Sequence, residues 1–116
     1  MTIPELIEKL EKATCPDRDI DKAITELFGT KNDHGVLICA GYLGIGMFTS
    51  SIDAAVQLCE RVLPGWLWLV EAGGDSDYGA TVVSDDSSIC SDWHKSTPAI
   101  ALCIAILRAL QPKEGE

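Results

Sequence analysis

Thr97-Pro98-Ala99-Ile100-Ala101-Leu102-Cys103-Ile104-Ala105-Ile106-Leu107-Arg108-Ala109-Leu110 is the stretch that decides the fold. Thr97 is a good N-cap and Pro98 suits the first helical position, where the missing N–H costs nothing. From Ala99 to Leu110 the helix is apolar all round except at Arg108, so it has to lie across a sheet or between other elements. Gln111-Pro112 ends it and leaves a charged tail over 111–116.

Upstream, Trp66 to Ala72 alternates as a half-buried strand, with Trp66, Trp68 and Val70 on one face and Leu67, Leu69 and Glu71 on the other. Trp66 and Trp68 are expected in the core. Gly73 to Asp77 is a turn, and Tyr78 to Val83 is the returning strand of an antiparallel hairpin. A third strand is expected around Ser88 to Trp93.

Towards the N-terminus, Thr2 and Glu5 form a capping box, Pro4 sits in the first turn, and Ile3, Leu6, Ile7, Leu10 and Ala13 follow one helical face. Cys15-Pro16 breaks that pattern. Asp17 then caps a second helix carrying Ile20, Ala23, Ile24, Leu27 and Phe28 up to Gly29, so the two helices should form a hairpin-like pair. Residues 29–35 read as a surface loop and 36–40 as a short buried strand. Thr49-Ser50-Ser51 offers N-caps for a third helix through Val62, with Ile52, Ala55, Val56, Cys59 and Val62 inward, and Pro64-Gly65 stops it.

The 116 residues fit a single domain spanning 1–116, with apolar residues at 47% and charged residues at 23%, an ordinary globular balance. The order of elements predicts an α+β fold: an antiparallel sheet of three or four strands with about four helices, arranged as a small three-layer α/β/α sandwich. No apolar run reaches the ~18 to 20 residues that a membrane span needs. The acidic, amphipathic start lacks the features of a signal peptide, so a cytoplasmic location is expected.

The net charge is −9, and no Lys or Arg occurs between Arg61 and Lys95, where Glu71, Asp75, Asp77, Asp85, Asp86 and Asp92 all fall. Such a segment does not neutralise phosphates, which argues against nucleic-acid polymers and anionic membranes as partners. It suits either a solvated surface or a docking face for a basic partner. With Trp93 as its exposed aromatic, the candidate partner-binding residues are Asp75, Asp77, Asp85, Asp86, Asp92 and Trp93.

Other chemistry is thinly represented. Five cysteines are an odd number and none are spaced as C-x-x-C, so structural free thiols are expected. Cys90, Asp92 and His94 would share a strand face, but three ligands without further matching spacing do not make a zinc site, and the acid pairs lack the full calcium-loop pattern. There is no nucleophile elbow, no His-Glu-x-x-His and no P-loop. No metal, cofactor or catalytic residue is assigned, and the chain is not expected to be an enzyme. Gly41, Gly44, Gly46, Thr49, Ser50 and Ser51 form the best candidate site for a small anion, because glycines and hydroxyls there precede a helix whose first N–H groups are open.

Two stretches, Thr49-Ser50-Ser51-Ile52-Asp53-Ala54-Ala55 running to Pro64-Gly65-Trp66-Leu67-Trp68, and Thr97 to Ala105, resemble the phage ABA sandwich domain family. The opening Ile3-Pro4-Glu5-Leu6-Ile7-Glu8-Lys9-Leu10-Glu11 and the later Pro16-Asp17-Arg18-Asp19-Ile20-Asp21 add to the resemblance, which covers 2–28 and about 49–110. It implies three α/β/α layers and a phage or prophage source, with no established activity and no catalytic residues to carry over. The segment from Gly35 to Phe48 departs from the short, Pro-rich connection associated with the family. The expected function is that of a phage accessory protein which binds a host protein through its acidic surface. Alternatives are sequestration of a nucleotide-like defence signal by a homo-oligomer, and a minor structural role in the virion.

Overall fold

The computed structural model describes residues 2–13, 15, 17–31, 33–35, 37–39, 42–44, 46–72, 78–84, 89–94 and 97–110, with backbone alone at 37, 39, 42, 43 and 89–94. Among the described residues four helices and six strands occur in the order α1 (Ile3–Lys12), α2 (Arg18–Phe28), β1 (Thr30–Lys31), β2 (Leu37–Cys39), β3 (Tyr42–Leu43), α3 (Ile52–Val62), β4 (Leu67–Ala72), β5 (Tyr78–Val83), β6 (Ile89–His94) and α4 (Pro98–Leu110). The fold is mixed α/β, and the described strands all pair antiparallel.

Helix ends follow from local chemistry. Glu5 N–H donates to the Thr2 hydroxyl, which itself donates to the Glu5 carboxylate. Asp17 receives the N–H groups of Asp19 and Ile20, Ser51 receives that of Ala54, and Thr97 receives that of Ile100 at 3.0 Å. Each cap satisfies a donor that the first helical turn leaves without an intrahelical partner. After α3, Gly65 turns the chain into β4 at a φ of +84°, a left-handed conformation that glycine adopts without a Cβ penalty.

Strands β4, β5 and β6 form a meander in the order β4-β5-β6, and β1, β2 and β3 form a second, smaller sheet. The β4–β5 register runs unbroken from Leu67 opposite Val83 to Ala72 opposite Tyr78. Helix α4 lies on the meander, and α1 and α3 pack in turn on α4. This explains why α4 can be apolar on every side: Ala99 through Leu107 are all buried. Leu6, Leu10, Ala54, Ala55, Leu58, Cys59, Ala80 and Val82 meet it from the surrounding elements.

The exposure of β4 departs from expectation on both of its faces. Ala80 and Val82 of β5 are buried, but Leu67 is 72%, Trp68 42% and Leu69 55% exposed. The expectation that Trp68 is a core residue is therefore corrected: α4 is centred on β5 and β6, and β4 is left at the margin of the contact. Trp66 does pack partly against the core. Leu27, in the last turn of α2, and Ile52, at the first position of α3, are expected inward but are each 39% exposed.

Candidate functional site

The segment from Gly46 to Ser51 contains four of the residues expected to hold an anion, and its polar groups converge on the protein itself. Asp17, Asp21 and Thr25 lie four residues apart on one face of α2 or at its cap, and all three face this segment. Asp21 Oδ1 accepts the backbone N–H of Thr49 at 2.8 Å. The Thr25 hydroxyl accepts the N–H of Gly46 at 3.1 Å while donating to the Asp21 carbonyl at 2.8 Å. The Thr49 hydroxyl accepts the Asp17 N–H at 2.9 Å and donates back to the Asp17 carbonyl at 3.3 Å. Arg18 reaches both Asp21 Oδ2 and the Gly46 carbonyl.

On its other side the same segment is tied to α4. The Thr97 hydroxyl donates to the Thr49 carbonyl at 3.1 Å, and the Cys103 thiol donates to the Phe48 carbonyl at 3.3 Å. Phe48, wholly buried, plugs the core between these ties. Gly46 is required by that plug, since a Cβ there would lie 2.5 Å from the Phe48 ring. Ser50 and Ser51 N–H groups are both used by the Met47 carbonyl.

These bonds give the Gly46–Thr49 segment a structural occupation. The buried Asp21 carboxylate already sits on the Thr49 N–H where a ligand anion would have to bind, and its charge would repel that anion. Gly44, just after β3, adopts a left-handed φ of +78°, and Gly41 lies outside the described residues. Sequence reasoning missed Asp21 and Thr25. Their spacing from Asp17 was the available signal, but polar residues at helical spacing ordinarily mark a solvated face.

A cleft of about 420 Å³ opens beside this segment, lined by Ser50, Ser51, Ile52, Asp53, Tyr78, Thr97, Pro98 and Ala99. The N-termini of α3 and α4 both meet it, and their dipoles favour negative charge there, although Asp53 already supplies one carboxylate.

Asp75, Asp77, Asp85 and Asp86 lie outside the described residues. Asp92 and Trp93 belong to β6, whose backbone register puts Asp92 opposite Ala80 and Trp93 opposite Gly79. Cys90 and His94 occupy register positions opposite Val82 and Tyr78. Trp93 thus falls in the same alternating set as Leu67, Leu69 and Glu71, and Asp92 in the set of Ala80 and Val82.

The two buried cysteines, Cys59 and Cys103, are unsuited to nucleophilic work. Burial, reinforced by Glu60, pushes the Cys59 thiol up to about 11, and burial, reinforced by Asp21, pushes Cys103 up much further. Cys15 is exposed. Among the described residues no three His, Cys, Asp or Glu side chains cluster as metal ligands, and no helix is long and apolar enough to cross a membrane. No protein-family model, no characterised protein and no solved structure matches the chain.

Proposed function

We propose that this chain is a phage or prophage accessory protein that acts by binding a host protein and carries out no chemistry of its own. The observation that carries the reading is the exposed run Leu67, Trp68 and Leu69 on a marginal strand, inside a segment without a single Lys or Arg. Large apolar side chains left exposed, in a stretch of sequence whose charged residues are all acidic, favour a docking surface over a merely solvated one. The buried, strongly protonated thiols of Cys59 and Cys103 support a role without catalysis. The phage source rests on the resemblance of the helix and turn motifs. The α/β/α layering it implies would need a helical layer over the Leu67 and Leu69 face, from outside the described elements.

Capture from bacterial host lysate tests this reading. A specific protein retained by the wild-type chain, and lost when Leu67 and Leu69 are replaced by serine, is expected; an empty capture would overturn it.

A second reading, sequestration of a small nucleotide-like anion, draws on the two helix N-termini that meet the cleft at Ser50, Ser51 and Thr97. Calorimetry against cyclic dinucleotides, cyclic trinucleotides and ADP-ribose tests it, and no heat from any of them removes it.

A further inference from the structure

We infer that α2, together with the small sheet β1–β3, opens from the rest of the protein as one body, and that the hydrogen bonds joining Asp17, Asp21 and Thr25 to Gly46 and Thr49 are the latch that holds it shut. None of these residues belongs to the surface proposed for protein binding, so the opening stands apart from that reading.

Topology makes the unit separable. Helix α4 is the common partner of α1, α3 and the β4–β6 meander. Helix α2 packs instead along α1 and β2, and among the described elements neither it nor β1–β3 has comparable contact with α3, α4 or the meander. The chain also leaves and re-enters at one place. The Asp17 N–H donates to the Thr49 hydroxyl at 2.9 Å, and the Arg18 guanidinium donates to the Gly46 carbonyl at 3.5 Å. The excursion over 18–45 therefore starts and ends at the latch, and it can swing out while the chain on either side keeps its position. Thr97 and Cys103 meanwhile hold the Thr49 and Phe48 carbonyls, so the fixed half of the latch stays on α4.

The chemistry of the seam sets where the protein parts. Of the side chains that α2 buries, Ile20 and Ile24 are apolar and Asp21 and Thr25 are polar, whereas α4 buries an unbroken apolar run from Ala99 to Leu107. Asp21, Thr25 and Thr49 are the buried polar side chains among the described residues, and all three lie on this one seam. Water replaces most of what a broken hydrogen bond loses, and rehydration of the Asp21 carboxylate favours the open form. Apolar surface pulled away from α4 has no such replacement. Opening beneath α2 is thus the least costly way to part the fold. Anything that binds the released Gly46 and Thr49 N–H groups or the inner side of α2 is admitted only to the open fraction, and its apparent affinity is reduced by that fraction.

Hydrogen exchange of the full-length protein, resolved by residue with NMR in a urea series below the unfolding transition, tests this. Amides of α2 from Asp21 onward, those of β2, and the Gly46 and Thr49 amides that donate across the latch are expected to exchange through one shared opening. That opening should occur about tenfold more often, or more, than the one that exposes α4 amides, with a smaller urea dependence because less surface is uncovered. Two variants separate the unit from the whole. Val82 packs from the meander and takes no part in the latch, so Val82→Ala weakens contacts that the open form keeps. It should speed exchange of α4 and β5 amides by about tenfold or more and leave the α2 set at its wild-type rate. Thr49→Val removes bonds made only in the closed form and should speed both sets by one common factor, about tenfold. A single isotherm for all amides, an α2 set that splits into unrelated openings, Gly46 and Thr49 amides that exchange with α4, or Val82→Ala acting equally on both sets would overturn the assignment. If Val82→Ala does not fold, the wild-type urea series decides alone.

Discussion

The backbone N–H of Thr49 donates to the Asp21 carboxylate across 2.8 Å, with Asp21 only 1% exposed and Thr49 fully buried. A carboxylate at this depth is tolerated because a backbone donor and the Arg18 guanidinium both meet it. Asp21→Ala should cost about 3 kcal/mol, because it strands a buried N–H and breaks the tie between α2 and the Phe48 segment. Asp21→Asn keeps an acceptor and should cost about 1 kcal/mol. Urea denaturation of the two variants checks the difference, and equal costs would mean that the N–H finds another partner.

Gly46→Ala isolates a steric effect. The new methyl would lie 2.5 Å from the Phe48 ring, and that ring is enclosed by the core. A loss of about 2 kcal/mol is expected, in line with overpacking of a filled interior. Combining it with Phe48→Leu should recover part of the loss, which a thermal melt series would register as non-additivity.

Thr97 both caps α4 and holds the Thr49 carbonyl. Thr97→Ser preserves both bonds and should be nearly silent, whereas Thr97→Val keeps the shape, loses both and should cost about 1 to 2 kcal/mol. Denaturant midpoints at constant m-value would measure this.

The thiols make a prediction about pH. Cys59 is raised from 9.0 to about 11 in the folded protein, so the folded state holds that proton more tightly than the unfolded chain does. Its contribution is complete below about pH 9 and is lost as pH rises through about 11. Stability should therefore fall on the alkaline side, and less steeply in Cys59→Ala. At neutral pH, peptide mapping after thiol labelling should find Cys15 modified and Cys59 and Cys103 protected until the protein unfolds.

Much of this architecture was legible from local chemistry. Caps at Thr2, Asp17, Ser51 and Thr97 set the helix starts, and the β4–β5 hairpin followed from alternation and its intervening turn. The central position of α4 followed from the absence of any polar face. The exposure of Trp68 did not follow, because β4 is apolar on both faces and alternation alone cannot say where α4 is centred across the sheet. The short β1–β2–β3 sheet was visible only at β2, since Thr30–Lys31 and Tyr42–Leu43 are too brief to carry a period. The Gly46–Thr49 segment resembled a ligand loop for a physical reason: the hydroxyls and open N–H groups that suit a bound anion also suit a carboxylate from the same chain. Only tertiary structure brings Asp21 to Thr49.

Because α1, α3 and the β4–β6 meander all find their common partner in a helix that follows them in the chain, none of them can complete its burial during synthesis until α4 has left the ribosome. The nascent chain would expose the inner sides of α1, α3 and the meander together until that moment, and then close in one step. A chain stopped before Pro98 would keep those surfaces open, making it a substrate for chaperones and proteases instead of a shortened version of the same fold.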